Sequence, residues 1–149
     1  MNAVNPYLNF DGNALQAFEF YKSVFGGEFA LVVRFKDMGA PPGTPASELE
    51  RIAHIALPFG KDSVLMASDI LPSMGHKHMA GDNFYITLAP ESGAEADRLF
   101  AGLSAGGSAV MPLQKTQWAE KFGTCRDRFG IQWMVSYTGN VQFNPGKQG

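Results

Sequence analysis

Asn5-Pro6-Tyr7-Leu8-Asn9-Phe10, near the start of the chain, is echoed by Asn83-Phe84-Tyr85-Ile86-Thr87-Leu88 at its midpoint, with polar, aromatic and apolar positions in the same order. Each run leads into an amphipathic stretch that stops at a glycine pair, Gly26-Gly27 or Gly106-Gly107. Each half then closes on a hairpin pattern with Phe-Gly at its turn. Phe59-Gly60 precedes Val64-Leu65-Met66-Ala67-Ser68, and Phe129-Gly130 precedes Gln132-Trp133-Met134-Val135-Ser136. The repeat predicts an α+β chain of two tandem βαβββ modules. Module one covers about 4–69, a linking loop about 70–82 and module two about 83–138, within a single domain spanning 1–149.

Working outward, the first helix is expected from about Asn13 to Phe25, with Asn13 and Gln16 as a capping box and Gly26-Gly27 as a left-handed stop. Its apolar stripe is Ala14, Ala17, Phe18, Tyr21 and Phe25. The second helix is expected from about Gly93 to Ala105, capped by Ser92 and Glu95, with Ala96, Leu99, Phe100 and Leu103 as its stripe. Strand alternation turns Leu8, Phe10, Phe84, Ile86 and Leu88 toward the helices. Asn5, Tyr7, Asn9, Asn83, Tyr85 and Thr87 then fall on the opposite face. Val64, Met66 and Ser68 share one face of the first hairpin, as Gln132, Met134 and Ser136 do on the second. The expected architecture is a cupped mixed sheet with helices on its outer face. Asp37–Glu50, containing Ala40-Pro41-Pro42-Gly43-Thr44-Pro45, reads as a long surface loop, and the tail from Asn140 as frayed.

Bulk properties exclude several functions. The 149 residues are 45% hydrophobic and 17% charged, with a net charge of −2, which leaves no electrostatic footprint for nucleic acid and no polybasic membrane patch. A single cysteine, Cys125, precludes an internal disulfide and fits a reducing compartment. No signal-like opening is visible, and no apolar run approaches the roughly 18 residues of a membrane span. The expectation is a cytoplasmic protein that binds neither nucleic acid nor membrane.

Two segments carry a family resemblance. One runs from Tyr7-Leu8-Asn9-Phe10-Asp11-Gly12-Asn13 through Ala17-Phe18, Phe20-Tyr21 and Val24-Phe25-Gly26-Gly27. The other sets Trp118, Phe122-Gly123, Asp127, Phe129-Gly130 and Trp133 at distinctive spacing. With Met66-Ala67-Ser68-Asp69 they span almost the whole chain, which resembles the PhnB-like branch of the vicinal-oxygen-chelate superfamily, the glyoxalase, bleomycin-resistance and extradiol-dioxygenase group. A demethylubiquinone methyltransferase label is also attached to this branch, yet the sequence has no Gly-rich loop after a strand to cradle S-adenosylmethionine.

The resemblance implies a divalent metal held in the cup by a His or Gln on the opening strand of each module and a Glu on the closing strand. Here the opening positions offer Asn5 or Tyr7 and Asn83 or Tyr85, while the Glu positions fall on Met66 and Met134. A thioether is a poor ligand for a hard or borderline ion, so no metal ligand is assigned and a divalent cofactor is disfavoured. His54 is read mainly as a hydrogen-bonded interior histidine that faces the cup. His76-x-His78 lacks acidic partners. Asp69 and Asp127 read as carboxylates that order loops and turns. Cys125 reads as an inert thiol despite its neighbour Arg126, and Trp118, Phe122 and Trp133 offer an aromatic wall that is either core and interface or a stacking surface for a flat or apolar ligand.

Three functions fit. The first is capture of a small, partly apolar molecule in the cup without the usual metal, lined by Tyr7, Asn9, His54, Met66, Tyr85, Thr87, Trp118 and Met134. The second is a metal-dependent lyase, isomerase or dioxygenase with non-standard ligands such as His54 and a loop histidine. The third is a dimeric interaction domain whose cup is filled by its own side chains. The resemblance also implies a homodimer.

Overall fold

The structure, a computed structural model, describes residues 1–147; the last two residues of the tail expected to fray lie outside that range. The chain divides into two compact units, Met1–Met79 and Ala80–Gly149. Each is a βαβββ module, as the repeat predicts.

Unit one contains β1 (Tyr7–Phe10), α1 (Ala14–Phe25), β2 (Leu31–Arg34), a short α2 (Ala46–Leu49), β3 (Ile52–Phe59) and β4 (Ser63–Asp69). Its sheet has the order β1-β4-β3-β2, with β1 parallel to β4 and the other pairs antiparallel. Helix α1 packs on β3 and β4. Leu8 and Phe10 are buried while Tyr7 and Asn9 are exposed, as period-two alternation requires. From α1, Ala14, Ala17, Phe18, Tyr21 and Val24 are buried. Phe18 meets Phe10 edge to face at 6.5 Å. Full burial of a side chain such as Phe18 stabilises the unit by about 2–3 kcal/mol relative to exposure. Phe25 is half-buried and stacks edge-on against Phe59 at 5.2 Å.

The start of α1 differs from the expected capping box, because Asn13 makes no side-chain cap. The Asp69 carboxylate takes that role from the end of β4. Its Oδ1 accepts from the Gly12 and Ala14 amides at 2.9 and 3.0 Å, and its Oδ2 from the Ile52 amide at 2.9 Å. A carboxylate at a helix N-terminus outperforms a neutral amide because it also complements the helix dipole. The Asp37–Glu50 segment is likewise more ordered than a plain surface loop. It holds a 3-10 turn at Phe35–Met38 and α2, from which Glu48 is buried. Glu48 Oε1 accepts from the Ser73 amide at 2.9 Å, and Oε2 accepts from the Ser73 hydroxyl. Hydrogen bonding to Ser73 holds the Glu48 carboxyl below the usual carboxylate range.

Unit two contains β5 (Ile86–Leu88), α3 (Gly93–Ser104), β6 (Ser108–Gln114), β7 (Lys121–Arg126) and β8 (Gln132–Tyr137), ordered β5-β8-β7-β6 with β5 parallel to β8. Helix α3 packs on β6, β7 and β8 and buries Ala96, Leu99 and Leu103. Its cap forms as predicted: Ser92 Oγ accepts from the Glu95 amide at 3.0 Å. Glu95 reaches back one residue further than a capping box does, to the Glu91 amide. Phe84 departs from the expected pattern. Strand β5 begins only at Ile86, so Phe84 lies before it and is 56% exposed instead of facing α3. Its carbonyl accepts from Gln132 Nε2 at 2.8 Å.

Candidate functional site

Residues directly opposite one another in a ladder share a face. In unit one a single row crosses the sheet as Tyr7, Met66, Ala56 and Leu31. The corresponding row in unit two is Thr87, Met134, Thr124 and Met111. Leu65 and Ala67, like Trp133 and Val135, point the other way and are buried against the helices. Both rows therefore lie on the helix-free face, with a methionine on the strand next to the parallel edge.

On this face of unit one, Tyr7 and Met66 of the row stand beside His54, which is two residues from Ala56 on β3 and so one row on. The Tyr7 hydroxyl lies 3.2 Å from His54 Nδ1, and the two rings sit 5.6 Å apart at a 32° tilt. With the imidazole protonated on Nε2, the phenol donates to Nδ1. Asn9 lies one row on, where its Oδ1 accepts from the Ser68 hydroxyl at 3.5 Å. In unit two Thr87 Oγ1 contacts Met134 Sδ at 3.7 Å. Trp118 precedes β7, is 46% exposed and stacks edge-on against Phe122 at 5.4 Å. Tyr85 lies in the segment before β5 and takes no part in the row.

Pairing also corrects the alignment of the two halves. The sequence echo equates Tyr7 with Tyr85 and Met66 with Met134. Met66 is opposite Tyr7, but Met134 is opposite Thr87, a two-residue difference that preserves the face and changes the neighbour. Period two tolerates such a slip, whereas a slip of one would turn every side chain over.

Trp133, Asp127 and Cys125, three residues singled out in the sequence, are buried. Trp133 is fully buried, and its Nε1 donates to Asp127 Oδ2 at 2.8 Å, so it forms no part of an aromatic wall on the open face. Asp127 Oδ1 accepts from the Phe129 and Ile131 amides at 2.8 and 3.1 Å, the turn-forming role read from its position before Phe-Gly. The Cys125 thiol is buried, and desolvation, followed by the Asp127 charge, pushes it up to about 11. Thr124 is 4% exposed, and among the described residues its Oγ1 is a buried side-chain oxygen with no hydrogen-bond partner. Alternation from Phe122 points to this position, but nothing in the local sequence shows that the hydroxyl goes unpaired.

The atoms on these rows are thioether sulfurs, hydroxyls, a phenol and one imidazole, a set poorly suited to a hard or borderline divalent ion. Among the described residues no three His, Cys, Asp or Glu side chains converge. His76 Nδ1 instead accepts from the Leu71 amide at 3.2 Å. A hollow of about 570 Å³ lies at the N-terminus of α1 between Asp11, Arg34, Glu50 and Arg51. Both its guanidinium groups are engaged, Arg51 with Asp11 and the Ile70 carbonyl, Arg34 with the Glu50 carbonyl. Among the described residues no helix is long and apolar enough to cross a membrane.

Comparison with known proteins agrees with this architecture. Residues 2–136 match the family model described as 3-demethylubiquinone-9 3-methyltransferase. Protein YjdN of Escherichia coli K12 is 31% identical over 142 residues, covering 89% of this chain and 93% of YjdN. The crystal structure of PA1353 from Pseudomonas aeruginosa is 39% identical with a TM-score of 0.79, covering 90% of this chain and 96% of that one. A glyoxalase/bleomycin resistance/dioxygenase family enzyme from Burkholderia phytofirmans shares the fold at 14% identity and a TM-score of 0.58, over 89% and 96% of the two chains. The chain thus belongs to the family described as 3-demethylubiquinone-9 3-methyltransferase, and it shares the fold of the glyoxalase/bleomycin resistance/dioxygenase family enzyme.

Proposed function

We propose that this protein captures a small, partly apolar molecule against the helix-free sheet faces, without the divalent-metal chemistry of the catalytic members of its fold group. The observation that carries the reading is the repeated row: Met66 flanked by Tyr7 and Ala56, and Met134 flanked by Thr87 and Thr124. Thioethers beside phenol, hydroxyl and imidazole groups make an adaptable apolar surface with a few orienting polar atoms. The resemblance to metal-binding members implies that these methionines fall where a carboxylate ligand is expected. The family description names methyl transfer, but the strand-to-helix connections here are Asp11-Gly12-Asn13 and Ala89-Pro90-Glu91-Ser92. Neither is a Gly-rich loop of the kind that cradles a nucleotide-like cofactor.

Metal analysis of protein purified without chelator, with thermal-shift titrations of Zn, Ni, Mn and Fe beside an organic ligand library, tests the reading. A binder responds to organic compounds and is indifferent to the metals. Stoichiometric metal that is lost in His54→Gln overturns it in favour of a metal-dependent enzyme. We further infer a cytoplasmic homodimer, consistent with one buried cysteine and with edge strand β6, on which Val110 and Met111 are exposed. Light scattering that shows a monomer at micromolar concentration counts against the dimer.

A further inference from the structure

We propose that the helix-free face of unit one holds a small organic carboxylate, its oxygens taken by His54 Nε2 and the Asn9 side-chain amide and its apolar body laid along Met66. The proposal rests on the binder reading above and names the chemical class of its ligand. On this face Tyr7 and Asn9 stand opposite Met66 and Ser68. His54 and Ser68 each lie one position beyond the Ile55–Ala67 rung, so His54 shares the face across β4 from Asn9. Two hydrogen bonds decide what these side chains have left to offer. The phenol is the stronger acid and the imidazole nitrogen the stronger base, so the Tyr7 hydroxyl donates to His54 Nδ1 at 3.2 Å and the ring carries its proton on Nε2. Asn9 Oδ1 accepts from the Ser68 hydroxyl at 3.5 Å, which leaves the Asn9 NH2 group as a donor. Acceptors are thus consumed within the protein and N–H groups remain. Among the described residues neither His54 Nε2 nor Asn9 Nδ2 has a partner. Both groups are within reach of a ligand. Asn9 is exposed, and Tyr7 is 46% exposed. His54 is half-buried, but Thr124 Oγ1 is the only buried side-chain nitrogen or oxygen without a partner among the described residues, so the unpartnered His54 Nε2 keeps accessible surface.

The ligand is a carboxylate because donors await it and no negative charge opposes it. From the strands beside His54 this face presents Met66 and Ser68 on β4 and Leu31 and Val33 on β2, none of them acidic. The nearby carboxylates are committed elsewhere: Asp69 caps α1, and Asp11 pairs with Arg51. Two N–H donors suit the two oxygens of a carboxylate, and bonds to an ionised acceptor are roughly twice as strong as neutral ones. Met66 and the 49% exposed Leu31, on the next row, offer an adaptable apolar floor for a hydrocarbon body. The site is particular to unit one. In unit two Thr87 and Met134 share the corresponding rung, and no histidine occurs on β5 to β8.

Two matched probes test this, 3-phenylpropanoate and 3-phenylpropan-1-ol, which share an apolar body and differ in the charged head. Binding is followed by amide chemical shifts of the full-length protein. Wild type is expected to bind the carboxylate about ten-fold more tightly than the alcohol, the usual worth of one hydrogen bond to a charged group. The shifts should centre on β1, β3 and β4. His54→Phe, which keeps a ring and loses the N–H, and Asn9→Leu, at an exposed position, each bring the two probes to near-equal affinity. Asn9→Asp sets a like charge against the head group and reverses the preference in favour of the alcohol. Should His54→Phe fail to fold, the two Asn9 variants decide the matter. A carboxylate preference that survives in Asn9→Leu and Asn9→Asp overturns the inference and leaves the binder reading standing. Equal binding of both probes by wild type, or carboxylate shifts centred on Arg34 and Arg51, does the same. If wild type binds neither probe at millimolar concentration, the binder reading fails for apolar bodies of this size and the carboxylate site falls with it.

Discussion

Unit one and unit two follow the same βαβββ path, yet they hold it closed by different means. In unit one the buried Asp69 carboxylate joins three segments distant in sequence: the β1–α1 connection, the start of α1 and the start of β3. In unit two the buried Asp127 serves its own turn and one core indole. The glycine pairs differ too. Gly27 has a positive φ of 80° and open space, with the Pro58 carbonyl oxygen 3.8 Å from an added Cβ. At Gly107 an added Cβ would lie 2.1 Å from the Arg126 carbonyl oxygen. Gly26, Gly27 and Gly106 all answer to backbone conformation, with φ of 79°, 80° and 77°, so the pairs part at their second glycine, where unit one needs conformation and unit two close approach. A duplicated path therefore conserves the order of elements more strictly than the contacts that fasten them.

The comparison can be broken most directly at the carboxylates. Asp69→Ala leaves three amides, two of them buried, without their acceptor and should cost about 3–5 kcal/mol, against about 2–4 kcal/mol for Asp127→Ala. Urea unfolding gives the totals, and hydrogen exchange shows which unit opens. Equal losses confined to one unit would mean that Asp69 is no more of a hub than Asp127. Gly107→Ala is next, at about 2–4 kcal/mol, because backbone rather than a flexible side chain must move. Gly27→Ala should cost only about 1–2 kcal/mol, the ordinary penalty for an L-residue in the left-handed region. Similar values at both sites would dissolve the distinction between conformation and close approach.

A kinetic probe sharpens the picture further, since only unit two contains a cysteine. With its thiol pushed up to about 11 by burial and by Asp127, Cys125 should resist disulfide reagents at pH 8 except through opening of unit two. Asp127→Ala should speed labelling by removing the nearby charge and loosening the turn. The smallest effect concerns Glu48, whose acidity in the folded state is raised chiefly by the Ser73 hydroxyl. A folded-state pKa below the unfolded value contributes stability above the unfolded pKa and loses it as pH falls through the folded pKa. Unit one should accordingly lose protection around residues 71–76 on acidification below the unfolded carboxylate range. Glu48→Gln should remove that pH dependence without altering unit two.

Much of the site was legible because strands repeat every two residues. From that period alone, Tyr7, Asn9, Met66, Thr87 and Met134 were assigned to one face, and they share the helix-free side of their sheets. Register was not legible. The echo of Tyr7 in Tyr85 matches residue types, but the parallel pairing of β5 with β8 depends on how far the chain advances through α3, β6 and β7. Residue type alone leaves Trp133 between core and aromatic wall for the same kind of reason. Aromaticity suggests a wall, whereas the Asp127 acceptor that draws the indole into the core becomes adjacent only after the hairpin closes.

The amino-acid sequence by itself determined the two βαβββ modules, the extents of α1 and α3 to within a residue or two, and the faces on which the residues of β1, β4, β5 and β8 stand. These follow from local periodicity and from glycines that stop helices, which need no distant partner. Tertiary structure alone decided that Asp69 rather than Asn13 caps α1, that Glu48 is buried against Ser73, and that Thr124 keeps a free hydroxyl. Each of these depends on atoms brought together from well-separated segments. Whether a buried polar atom finds a partner is a property of packing, and no local pattern encodes it.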